Sequence, residues 1–307
     1  MLYEYALEPT LISNWKDFRY FTEKFSVAQG RLIARYPKRW KKMVYEALTH
    51  CGEIERKRIE DRLQTIDDRM MKRQGGWNSQ LDWLPNAEVE HARRPFHAIL
   101  AKTNLRQNEY VLEGDNISEE HPLWAPPQSP PVLREAREMA TRVAPLLRIA
   151  ETIVFVDPHF GPQHIRYRRP LEAFLLAILE QRYGMPPTKI EIHTNDELGP
   201  DFFRGECERC LPDIIPADIS VRFIRWKQKI VGEKLHNRFI LTDRGGVMFG
   251  VGLDDGDGAA GETDDIKLLD DETYKMCWQQ YTSRVAFDLV DELVIIGRRL
   301  SLSKEIS

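Results

Sequence analysis

The chain has little sulfur, no dominant charge and no long apolar run. Four cysteines among 307 residues (Cys51, Cys207, Cys210 and Cys277) are too few and too scattered for a disulfide framework. Cys207 and Cys210 have the Cys-x-x-Cys spacing, but no second ligand pair follows as a structural zinc requires. Reduced thiols are therefore expected, with no metal and no cofactor. No apolar run approaches the roughly 18–20 residues that span a membrane. The opening MLYEYALEPTLISNW lacks the basic-then-apolar order of a secretory signal, so a cytoplasmic protein without membrane insertion is expected. Lys and Arg total 44 against 48 Asp and Glu, a net charge of −4, which excludes a globally basic coat for nucleic acid. What is present, 42% hydrophobic and 30% charged residues, is ordinary globular composition, and the length suits about two domains.

Residues 1–113 read as a mainly helical domain. Asn14 or Ser13 caps a helix with apolar Trp15, Phe18, Phe21 and Phe25, and Pro37 suits the start of a second. A charged stretch to Arg73 keeps a helical stripe that Gly52 bends or breaks. PFHAILAKTN and NEYVLEGD read as two short strands around a polar turn. Residues 114–131, with Pro122, Pro126, Pro127, Pro130 and Pro131, read as a semi-rigid linker. From 132 to 307 strands and helices alternate: ETIVFVDPHF, KIEIHTND, ISVRFIRWK, KLHNRFILTD and VMFGVGLD as strands, with helices over 170–183 and 271–283. That order predicts an α/β domain, a sheet flanked by helices.

The segment from His236 to Gly250 carries the chemistry. On a strand, His236 and Arg238 point to the same face. An imidazole nucleophile beside a guanidinium suits attack on a phosphate ester, and Asp243 can hold a histidine in the right tautomer. Asp157 and His159 stand at the end of a strand, where α/β sheets place ligands, and His164 with Arg166 forms a basic turn before a helix. His193, inside a strand, reads as a structural histidine.

The His236-x-Arg238-x4-Asp243 spacing resembles the HxKx4D signature of the phospholipase D superfamily, and the resemblance covers roughly residues 148–285 including element order. It implies a phospholipase-D-like sheet flanked by helices. His236 would form a phosphohistidine, Arg238 would bind phosphate together with Asn237, Asp243 would support the histidine, and Gly250 would open the next conserved stretch. It implies metal-independent phosphodiester hydrolysis, with a homodimer supplying the second histidine as general acid. Position 238 is Arg where the family normally has Lys, and Val251 and Leu253 stand where it has Ser and Asn. The string HNRFILTDRGGVMFGVGLD is also similar to the phospholipase-D-like C-terminal domain of the MIT-domain proteins, a membrane- or lipid-binding module.

Arg31, Arg35, Lys38, Arg39, Lys41 and Lys42, interleaved with Tyr36 and Trp40 and free of acids, form a basic segment suited to phosphate backbones and base stacking, or to an acidic protein surface. Asp254, Asp255, Asp257, Glu262, Asp264 and Asp265 form an acidic loop without EF-hand spacing. Two readings stand. One is a phospholipase-D-type nuclease acting on DNA or RNA, a hydrolase that fits antiphage defence. The other is a non-catalytic module whose degenerate site binds phosphate, lipid headgroup or a protein partner in a larger assembly.

Overall fold

In a computed structural model, residues 1–125, 130–217, 219–256 and 261–299 are described. The chain divides into two compact units, residues 2–128 and 129–307.

The first unit is α/β, not mainly helical. Its elements are β1 (Tyr3–Leu7), α1 (Trp15–Glu23), β2 (Arg31–Arg35), α2 (Trp40–Ala47), α3 (Glu53–Thr65), β3 (Met70–Lys72), α4 (Trp83–Arg93), β4 (Ala98–Ala101) and β5 (Val111–Glu113). The strands form a parallel sheet in the order β3-β2-β1-β4-β5. The first three escaped a reading by periodicity because parallel strands are covered on both faces and show short apolar runs without alternation. In β2 the terminal arginines disguise a run whose first four residues are buried. Thus β4 and β5, expected around a simple turn, run parallel across a longer connection. Asn14 does cap α1, its side chain accepting the Asp17 N–H at 3.0 Å. The next helix begins at Trp40, three residues beyond Pro37, and Gly52 separates α2 from α3.

The expected linker is shorter than 114–131. Residues 114–116 form a 3-10 turn, and Trp124 is fully buried in the first unit's core with Tyr5, Phe21 and Phe25 around it. Indole burial outweighs the proline content that suggested free chain. Within the expected linker, residues 126–129 lie outside the described residues.

The second unit contains β6 (Val132–Leu133), α5 (Ala136–Ile149), β7 (Thr152–Val156), α6 (Ile165–Leu179), β8 (Lys189–Asn195), α7 (Pro200–Cys210), β9 (Ser220–Lys227), β10 (Arg238–Thr242), β11 (Gly245–Phe249), β12 (Thr263–Asp264), β13 (Ile266–Leu268), α8 (Asp271–Thr282) and β14 (Asp288–Ile296). Seven strands form one mixed sheet, β13-β11-β10-β7-β8-β9-β14. β7, β8 and β9 are parallel, while β10 runs antiparallel to β7. The C-terminal ends of β7 and β8 and the beginning of β10 therefore share one edge of the sheet. β10 is shorter than the segment 234–243, so His236 precedes it, and Gly245 and Gly246 belong to β11 rather than to the turn before it. Neither α7 nor β14 was expected from the sequence. Among the described residues no helix is long and apolar enough to cross a membrane.

Replacing Trp124 by Ala is expected to destabilise the first unit by about 3–5 kcal/mol, the range for emptying a large aromatic site. Hydrogen exchange of the β1 and β4 amides checks it: protection should fall sharply, and unchanged protection would return this segment to a linker.

Candidate anion-binding site

Five loops meet at the shared edge and enclose a cavity of about 430 Å³. The chain leaving β7 contributes His159, Phe160 and His164, and the first turn of α6 contributes Arg166 and Tyr167. Asn195 and Glu197 come from the end of β8, Arg238 from the start of β10, Val251 and Asp254 from the segment after β11, and Arg134 from the chain after β6.

Asp157 organises this edge. It is 3% exposed, and its carboxylate accepts the His159 N–H at 3.0 Å and the Leu253 N–H at 2.9 Å. Burial pushes its pKa up, against the opposing pull of those two N–H groups and of the Arg238 charge. Arg238 lies one step beyond the registered pair Phe239–Val156, which puts it across from Asp157. The loop leaving β7 is further held by β8, with Thr194 Oγ1 donating to the Pro158 carbonyl at 3.1 Å. Leu253 closes a small, mostly apolar pocket with Phe155, Phe160, Tyr167 and Phe174, a floor that shares Phe160 and Tyr167 with the cavity. Burial, with the nearby Asp157 and Asp254 charges, raises the Tyr167 phenol to about 12, so it stays protonated.

The charges in the cavity are unevenly compensated. Asp254 serves two cations, Arg134 at 2.9 Å and Arg166 at 3.7 Å, and Arg134 also reaches Glu262 at 3.2 Å. Arg238 has no carboxylate within ion-pairing distance among the described residues. Its Nη1 donates to the His236 carbonyl at 2.9 Å, and its buried Nε has no hydrogen-bond partner. His159 and His164 are exposed beside it. A guanidinium with unfilled donors and two imidazoles in a concave site suit an oxyanion, and the planar fork matches phosphate geometry.

Of the residues expected at the site, Arg238, His159, His164 and Arg166 line the cavity together, with Asp157 beneath them. The expected His236–Arg238 pairing on one strand face is not formed. His236 lies before β10 with its side chain exposed, Nδ1 at 3.1 Å from the Lys234 carbonyl, and neither it nor Asn237 lines the cavity. Asp243 is at the other end of β10, roughly 20 Å away at about 3.3 Å per residue. It accepts the Glu151 and Thr152 N–H groups at 2.8 and 3.0 Å and pairs with Arg244, so it caps strands and does not support a histidine. Gly250 is structural: its N–H donates to Asp264 at 2.8 Å, and a Cβ there would meet that carboxylate at 2.9 Å.

Sequence reading missed Arg134, Tyr167, Asn195, Glu197 and Asp254. Asn195 and Glu197 follow a readable strand and were open to the same end-of-strand argument as Asp157. Arg134 and Asp254 are joined across 120 positions and leave no local signal.

The basic segment does not form the expected platform. Arg31 is buried, stacks on Trp124 at 4.5 Å and donates to its carbonyl. Tyr36 and Trp40 are buried, hydrogen-bonded to Gly76, Asn86 and Leu7, and present no face for base stacking. Lys41 pairs with Asp67, Lys42 with Glu46, and Arg39 lies over Trp77, while Arg35 donates to the carbonyl of Lys38. His193 is fully buried: Trp226 donates to its Nδ1 at 3.0 Å, and burial lowers its pKa. Cys207 and Cys210 are buried free thiols, and no three metal-binding side chains converge among the described residues. Asp257 of the acidic loop lies outside the described residues.

The chain matches no protein-family model and no curated protein.

Asp157→Ala is expected to cost about 1–3 kcal/mol by leaving buried N–H groups unpaired. A folded-state pKa raised by burial makes the wild-type side chain most stabilising when protonated, below its ordinary value of about 3.9. That stabilisation declines as pH rises through the folded value. Urea denaturation between about pH 4 and pH 7 should show the gap between wild type and variant narrowing with rising pH; a widening gap would contradict the assignment.

Proposed function

We propose that the C-terminal unit is a phosphate-binding module, built on a phospholipase-D-like α/β sheet, that recognises its ligand without cleaving it. The observation that carries this reading is Arg238, which lines the cavity with donors left over and, among the described residues, without a carboxylate in ion-pairing distance. A half-buried cation of this kind is stabilised when an anion completes its hydrogen bonds. His159 and His164 add ring N–H donors, and the apolar floor strengthens each contact.

The nuclease reading draws less support. Its nucleophile, His236, lies outside the cavity lining, and Asp243 is engaged with backbone at the far end of the strand. Burial of Arg31, Tyr36 and Trp40 removes the stacking surface proposed for nucleic acid. Val251 and Leu253, which depart from the family pattern, are used here in the cavity wall and its apolar floor.

Titration calorimetry with inorganic phosphate tests the proposal. Arg238→Ala should weaken binding about tenfold or more, as expected for losing a charged hydrogen-bond donor, while His236→Ala stays within about twofold of wild type. Linear, circular and single-stranded nucleic acids should remain intact with the protein in EDTA. Cleavage that disappears in His236→Ala would overturn the binding-only reading and restore the hydrolase.

A further inference from the structure

Resting on the phosphate-binding reading, we infer that the cavity takes a phosphorylated polyol, a sugar-phosphate-like molecule, with Asn195 and Glu197 selecting the hydroxyl-bearing part. The volume of about 430 Å³ falls within the roughly 300–1,000 Å³ of small-molecule sites and exceeds the needs of a bare phosphate. The rest of the ligand must therefore meet the wall beyond Arg238.

That wall is polar and of mixed character. Asn195 ends β8, and its Oδ1 already accepts the Glu197 N–H at 3.1 Å. The amide NH₂ of Asn195 is left to donate into the cavity. Glu197 is exposed on the same wall, and no Lys, Arg or His lies within ion-pairing distance of its carboxylate among the described residues. Unlike Asp254, it is not committed to neutralising an arginine.

A donor and an acceptor side by side match neighbouring hydroxyls, each of which both donates and accepts. An ammonium group would satisfy Glu197 and leave the Asn195 amide idle, and an alkyl group would desolvate both without return. Phe160 and Tyr167 offer a nucleobase no face to stack on, being 7% and 5% exposed and packed against each other at 5.7 Å. Specificity then arises as in any site built to bond hydroxyls: a ligand lacking them leaves polar groups unpaired.

The test compares inorganic phosphate, glucose 6-phosphate, adenosine monophosphate and n-hexyl phosphate by calorimetry on the full chain. Glucose 6-phosphate should bind tighter than phosphate or hexyl phosphate by about thirtyfold or more, as expected for two added hydrogen bonds of which one is to a charged group. Glu197→Gln and Asn195→Ala should each bring that ratio toward one, and Arg238→Ala should weaken every ligand. Adenosine monophosphate should gain from its ribose hydroxyls alone and therefore bind no tighter than glucose 6-phosphate. If phosphate binds but glucose 6-phosphate has no advantage, or the advantage survives both wall variants, the polyol inference fails while the phosphate site stands. If no phosphate compound binds, the underlying reading fails with it.

Discussion

One buried carboxylate holds together the two loops on which the cavity depends. Asp157 takes the N–H of His159 on the chain leaving β7 and the N–H of Leu253 on the chain after β11, segments almost a hundred positions apart. Because the carboxylate is nearly solvent-free, losing either bond would strand a buried donor, so both loops are fixed in position. His159 is thereby held at the rim, and Leu253 is seated in the apolar floor. Asp254, next along the chain, is brought to Arg134 and Arg166. The same carboxylate lies across from Arg238 in the sheet register, and their charges interact. The Arg238 charge works against burial at Asp157 without reversing it, and among the described residues the guanidinium has no ion-pair partner.

The direction of the strands explains why polar side chains gather at this edge of the sheet. Parallel β7 and β8 send their following loops to one edge, and antiparallel β10 begins at that edge. Loop residues from distant parts of the sequence converge without any one loop being long. The opposite edge receives Asp243, whose carboxylate finishes the backbone pairing of the β7 approach. A motif that looks continuous in sequence, His236 to Asp243, is thus divided by the strand it spans. Its two ends serve different edges.

Much of the second unit was legible because its strands alternate or end in clear turn residues. The edge position of Asp157, His159, His164 and Arg166 could likewise be read from where a strand stops, whereas Arg238 was expected inside its strand and instead begins it. The role of each residue could not, since it depends on who lies across the sheet. Asp254 next to Arg134 is a long-range pairing, and Gly250 is constrained by Asp264 rather than by a ligand. The first unit was misread for a different reason. YEYAL and RLIAR are short, largely buried and interrupted or flanked by charges, so the pattern that distinguishes strand from helix is missing, whereas AILA was legible as a strand and only its parallel pairing was not. In RLIAR the arginine that suggested a nucleic-acid surface is instead a core residue under Trp124.

The account rests on an oxyanion occupying the cavity against Arg238. The most direct measurement is an anomalous difference map from crystals of the full chain soaked in tungstate, a heavy mimic of phosphate. The account predicts a peak within hydrogen-bonding reach of the Arg238 guanidinium, flanked by His159 and His164. A map with tungstate only at the exposed lysines near residues 38–42, and none in the cavity, would contradict it.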